Sequence, residues 1–204
     1  MEVTDDRRPT RERLIAAAMD QIEADGEAGV RVDHVARAAG VTKASLYHFF
    51  GDRDGLVVAA QAERYRIALR DGMDSQTTAV RACRSRDEFE ELVRNWMLWT
   101  FSDAAIERRR VRVDVLGSSV SRPRLREQLA QTDREVCHEL AELMLIAHDK
   151  GRIDMPFDLD AAAMWWFGML NGRYLVEHEH GAERLAGWDA VATEATIRIV
   201  FGNP

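Results

Sequence analysis

Cysteine, proline and uninterrupted apolar stretches are all scarce in this chain. Only two cysteines, Cys83 and Cys137, occur in 204 residues, far apart and without the paired short spacings that build disulfide scaffolds or zinc sites. The expectation is a pair of reduced thiols in a cytoplasmic protein, with no metal and no cofactor. The opening "MEVTDDRRPT" lacks the apolar core of a secretory leader. The most apolar run, "AAAMWWFGML" at 161–170, is far shorter than the roughly 20 residues that a membrane span needs. No membrane partner is therefore expected. Catalytic signatures are missing as well: there is no G-x-S-x-G, no HExxH and no glycine-rich phosphate loop. The histidines of "EHEHG" (177–181) are two apart and fall on different helix faces, and His138 with Glu142 is a single i,i+4 pair. No catalytic or metal-binding residue is assigned, and an enzyme is not expected.

Positive charge is also in short supply. The net charge is −7 and the pI near 5.4, and residues 1–56 hold 11 acidic against 8 basic side chains. A polyanionic partner would have to be met by a local patch. One exists in "RRPTRER", with Arg7, Arg8, Arg11 and Arg13, and Lys43 and Arg53 lie further on. A solvated charge run at a chain end is the competing reading. What remains, 46% hydrophobic and 31% charged residues with four prolines, fits one compact domain or a small domain joined to a larger one.

Apolar periodicity predicts a first helix over 9–24, with Thr10 as N-cap and Leu14, Ile15, Ala18, Met19 and Ile22 on one face, ended by Gly26 and Gly29. A second helix over 32–39 buries Val32, Val35, Ala36 and Ala39 and stops at Gly40, where a left-handed residue is wanted. A third is capped by Thr42, has Leu46, Phe49 and Phe50 available to bury, and closes at Gly51 before a fourth helix over 52–72. Helix, short turn, helix behind a packing helix is the helix-turn-helix arrangement, although any three-helix unit shares its small residues.

The stretch "VRVDHVARAAGVTKASLYHFFGDRDGL" (30–56) resembles the amino-terminal signature of TetR-type transcriptional regulators: a Val-Ala pair, Ala-Gly-Val-Thr, a recognition helix with Leu-Tyr, and an aromatic-rich tail. The resemblance is confined to about the first quarter of the chain. Departures are Arg31 for a capping Thr, Phe49 for His or Tyr, and Arg53-Asp54 for Lys-Glu. The resemblance implies that Thr42, Lys43, Ala44, Ser45, Tyr47 and His48 face DNA, with Arg53 placed like the family's phosphate-binding Lys. The chemistry agrees. Ala44 and the Thr42 methyl suit a thymine methyl, Lys43 suits guanine or phosphate, and Tyr47 and His48 reach backbone or base edge.

Beyond the signature, helices are expected over 87–101, 104–119, 123–151, 158–180 and 188–201. The "RRRVR" run within 104–119 reads as a solvated face. The helix over 158–180 carries two apolar stripes. One is Leu159, Ala163, Trp166, Leu170 and Tyr174; the other is Trp165, Gly168, Met169, Gly172 and Val176. A helix apolar on two sides is buried on two sides. Trp165, Gly168, Gly172 and Val176 are accordingly dimerisation candidates, in the four-helix interface that the resemblance implies. A surplus of large apolar side chains, Trp96, Met97, Trp99, Phe101, Met144, Trp166 and Met169, suits an adaptable apolar pocket, and His138 is its candidate polar partner. Plain core packing is the alternative for each.

The expectation is an all-α homodimer: a DNA-binding domain over 1–53, with a three-helix helix-turn-helix, and a larger helical ligand-binding and dimerisation domain over 54–204. Its partners would be a palindromic double-stranded DNA operator and an unidentified small apolar or aromatic effector, with repression as the expected output. A helical small-molecule-binding protein or enzyme with a vestigial helix-turn-helix, and a purely protein-binding module, are the rivals.

Overall fold

A computed structural model describes residues 9–70, 73–177 and 181–202. These residues are all-α, with no strand among them: α1 (Thr10–Gly29), α2 (Val32–Ala38), α3 (Lys43–Phe50), α4 (Arg53–Arg70), α5 (Met73–Ala82), α6 (Arg86–Phe101), α7 (Ile106–Ser119), α8 (Pro123–Asp149), α9 (Leu159–Glu177) and α10 (Ala182–Phe201), with one 3-10 turn at Asp103–Ala105. Arg7, Arg8 and the histidines at 178 and 180 lie outside the described residues.

Three cores organise the described residues. Leu14, Ala18 and Ile22 of α1, Val35 and Ala36 of α2, Leu46 of α3, and Leu56, Val57 and Ala60 of α4 form the first. The opposite side of α4 joins Val58 and Tyr65 to Val115, Leu125 and Leu129 in a second, smaller core. The largest lies among α5, α6, α8, α9 and α10. One helix, α4, thus serves both ends of the molecule, and the expected division at 53/54 falls at its first residue.

Local chemistry moves several element boundaries. Pro9, not Thr10, occupies the N-cap of α1, and no side chain caps it. The helix passes Ala24 because Gly26 alone breaks the run, with φ 71°, after which one more turn reaches Gly29. Ser85 caps α6 by accepting the Glu88 N–H at 3.1 Å, and Asp158 caps α9 by accepting the Ala161 N–H at 2.9 Å. α5 is an addition to the expected elements, and α10 begins six residues before the expected start at Trp188.

The "RRRVR" run is a correction. Arg109 and Arg112 point into the protein, at 1% and 8% exposure. Arg109 is neutralised there by Glu177, 68 positions later, which takes both Nε (3.0 Å) and Nη2, while Nη1 donates to the Thr100 carbonyl at 2.6 Å.

Candidate functional site

The turn between α2 and α3 is a closed helix terminus. The Val41 N–H donates to the Ala36 carbonyl at 2.9 Å and the Gly40 N–H to that of Arg37 at 3.1 Å, a pairing that requires left-handed backbone at Gly40, φ 66°. The chain reverses there and Thr42 starts the next helix, its hydroxyl oxygen accepting the Ser45 N–H at 3.2 Å. Leu46 is fully buried and pins α3 to the core. The remaining surface of α3 faces out: Thr42, Lys43, Ala44, Tyr47 and His48 are exposed and Ser45 is half-buried, and Phe49, expected to be available for burial, is exposed as well, because its turn around the helix carries it off the Leu46 face. Lys43 Nζ lies 2.6 Å from Asp33 and holds the Asp33 carboxyl below its ordinary range. Both partners are more than half exposed, so water screens the pair and a phosphate can replace it.

Arg53 is turned differently from expectation. Its Nε donates to the Val30 carbonyl at 2.8 Å, and Nη2 donates to the carbonyls of Glu27 and Ala28. The guanidinium ties the end of α1 to the start of α4 instead of presenting those donors to a phosphate. At the carboxyl-terminal end of α3, the Arg11 guanidinium lies 5.7 Å from the centre of the Phe50 ring.

In the body, two small cavities flank Trp96. One, about 40 Å³, is walled by Phe89, Leu92, Trp96, Leu143, Met144 and Trp166, with other side chains. The other, about 60 Å³, is walled by Trp96, Trp99, Phe167, Leu170, Arg108 and Arg112, with others. Gln76 and Leu140 border both. Trp96 and Trp166 meet edge to face at 4.3 Å, and Trp99 lies under the Arg108 guanidinium at 4.7 Å.

Trp96, Trp99, Met144 and Trp166 of the expected pocket therefore come together. Four others do not. Met97 is fully buried behind Trp166, whose Nε1–H donates to its sulfur at 3.4 Å. Phe101 packs on Trp188 at 5.3 Å, and Met169 packs against the main core without bordering either cavity. His138 stands on the outer face of α8, its side chain 70% exposed and 3.7 Å from Glu142.

Gln76 and Arg112 are the polar wall residues that apolar patterning could not find. The Oε1 of Gln76 and the Nε of Arg112 are buried without a hydrogen-bond partner. Burial pushes the Arg112 guanidinium down to about 10, which leaves it charged at neutral pH.

The model of the amino-terminal domain of bacterial regulatory proteins of the tetR family matches residues 14–60. The regulator BetI of Stenotrophomonas maltophilia, an HTH-type transcriptional regulator, is 30% identical over 149 residues, 70% of this chain and 72% of BetI. The chain belongs to the TetR family. Two solved structures share the TetR-type fold along most of the chain. One, from Mesorhizobium loti and solved as a TetR-family transcriptional regulator, has a TM-score of 0.68 at 18% identity, covering 93% of this chain and 96% of that one. The other, a transcriptional regulator from Saccharomonospora viridis in complex with choline, has a TM-score of 0.62 at 15% identity, with the same coverage. This TetR-family chain is a transcriptional regulator, not an enzyme. The family's regulators bind operator DNA and usually act as dimers with small-molecule effectors. Among its described residues, none form a group of three His, Cys, Asp or Glu able to hold a metal ion, and no helix is long and apolar enough to cross a membrane.

Polar contacts link the reading head of this TetR-family chain to its body. Glu27, at the end of α1, accepts from the Ser118 hydroxyl of α7 at 2.5 Å, from Arg122 at 2.6 Å and from Gln61 of α4. Burial raises the Glu27 pKa, but these donors outweigh it and hold the carboxyl below its ordinary value. Arg122 also reaches Asp54 at 3.1 Å. On the far side, the second stripe of α9 is open. Trp165 and Gly168 of that stripe are exposed and Gly172 and Val176 half-buried, while Met169 packs inward; beside it Met164, Leu175 and Val191 of α10 are exposed, and a Cβ added at Gly168 or Gly172 would meet nothing within 4 Å.

Proposed function

We propose that the chain is a ligand-responsive repressor, a homodimer that reads a two-half-site operator with Thr42, Lys43, Ala44, Ser45, Tyr47 and His48 and releases it when an effector enters the body. The observation that carries this reading is the pair of cavities around Trp96, in a body joined to the reading head through α4 and the Glu27 contacts. Neither cavity approaches the several hundred Å³ of an ordinary small-molecule site, so binding requires Trp96 to move and merge them. A side chain that must move to admit a ligand can transmit its presence. Trp96, Trp99, Met144 and Trp166 would line the enlarged site.

The open stripe of α9, with Trp165, Gly168, Gly172 and Val176, together with Val191 of α10, supplies the second-subunit face. An apolar surface of this kind is usually covered in solution, and a two-fold pair of recognition helices reads two half-sites about one DNA turn, roughly 34 Å, apart. The test is selection of an operator from random duplexes with purified protein, followed by a screen of aromatic and apolar compounds read by tryptophan fluorescence and DNA release together. Compounds that quench and release wild type but not Trp96→Ala support the reading. Binders that act equally on Trp96→Ala refute the cavity.

A further inference from the structure

We infer that the effector site takes an anion, specifically a small monocarboxylate with an apolar or aromatic body, whose carboxylate is received by Arg112. The inference rests on the effector reading above and deepens it by naming the charge of the ligand.

The buried arginines of the described residues make the comparison. Arg109 has Glu177 and two carbonyls, Arg173 has Asp189, and Arg152 donates to the Val80 carbonyl at 3.2 Å. Arg112 is different. It is 8% exposed, its Nε has no hydrogen-bond partner, and no carboxylate among the described residues pairs with it. Instead it forms part of the wall of the cavity beside Trp96 and Trp99. A buried guanidinium without acceptors is costly, and a planar fork of donors matches a carboxylate in two parallel bonds.

The surroundings favour the same sign of ligand. Arg108 and Arg109 are near enough to disfavour the charge on Arg112, so a negative group would relieve repulsion as well as fill the empty acceptor position. Tyr65, the neighbour that favours the charge on Arg112, donates its hydroxyl to Asp133 at 2.7 Å. The other walls, Trp96, Trp99, Phe167 and Leu170, supply apolar cover for a ring or short chain. A quaternary ammonium would instead be placed beside two guanidinium groups, those of Arg108 and Arg112. The Saccharomonospora viridis neighbour holds choline, and this chain would discriminate against it.

The experiment uses matched pairs differing only in charge: benzoate and benzamide, phenylacetate and phenylacetamide, hexanoate and hexanamide, with choline as the cation. Binding to the full-length protein without DNA is read by tryptophan fluorescence and thermal shift. At least one carboxylate should bind wild type about tenfold or more tighter than its amide. Arg112→Gln should bring that ratio close to one while amide affinity stays unchanged, and Arg112→Lys should keep part of it. The inference is overturned if no carboxylate binds better than its amide, if the preference survives in Arg112→Gln, or if choline binds best. The wild-type ratio decides the matter even where Arg112→Gln fails to fold. DNA release is scored separately. Release by an uncharged compound through Trp96 leaves the effector reading standing and sinks the anion. Carboxylate binding with no release by any compound sinks the effector reading alone.

Discussion

Replacing Glu27 tests how firmly the reading head is held to the body. Its carboxylate receives three donors from α4, Ser118 and Arg122, and the side chain is 24% exposed. A charge-assisted hydrogen bond is worth about 1.5–3 kcal/mol when buried. With partial exposure and shared acceptor oxygens, Glu27→Ala should cost about 2 kcal/mol in total, less than the sum of three. For a chain of this length that is roughly a 4–8 °C fall in Tm. Combining it with Arg122→Ala should recover a coupling energy of about 1 kcal/mol in a double-mutant cycle. The pH dependence has a defined sign. The folded carboxyl is held below its ordinary value of 4.5, so its contribution is full above that value and is lost as pH falls through the folded value. The gap between wild type and Glu27→Gln, followed by denaturant unfolding from pH 7 to pH 3, should therefore narrow on the acid side. A gap that is constant over that range, or a coupling energy of zero, would refute the reasoning.

Other outcomes follow from the same geometry. Lys43→Ala and Tyr47→Ala should each weaken binding to the selected operator by about 1–3 kcal/mol with Tm nearly unchanged, read by gel shift and calorimetry; full affinity in the double variant would remove the recognition-face assignment. Arg53→Ala should destabilise the fold by about 1.5–3 kcal/mol and lower Tm, because the carbonyls of Val30, Glu27 and Ala28 each lose a donor, that of Glu27 keeping the Val30 N–H; a change confined to the salt slope of DNA binding would instead make it a phosphate contact. Trp165→Glu should yield monomers in sedimentation and lose binding to a two-half-site duplex, whereas a dimeric variant would show that the wrong face was chosen. Leu46→Ala, at a fully buried position, should cost about 2–5 kcal/mol in urea unfolding.

The reading head was legible because its determinants are local. Gly40, Thr42 and Leu46 act on neighbours within a few residues, and fixed spacing exposes them. The body's chemistry depends on residues far apart. Arg109 is buried because Glu177 arrives from another helix, so a run of arginines that looks solvated is not. Arg112 could not be found from hydropathy, since a charged residue facing an internal cavity has the pattern of one facing water. α5 escaped because "MDSQTTAVRA" has too few apolar positions to show a period. His138 has the composition of a ligand contact, but its rotation on α8 relative to Val136 and Leu140 carries it outward.

The double membership of α4 bears on how the protein can be cut. Leu56, Val57 and Ala60, all inaccessible to solvent, complete the amino-terminal core from beyond residue 53. A fragment ending at the anticipated boundary would lack one wall of its own interior and should not fold alone. The same rod carries Val58 and Tyr65 into the neighbouring core, so loosening either end removes support from the other. The two regions, different in task, should therefore melt as one cooperative unit.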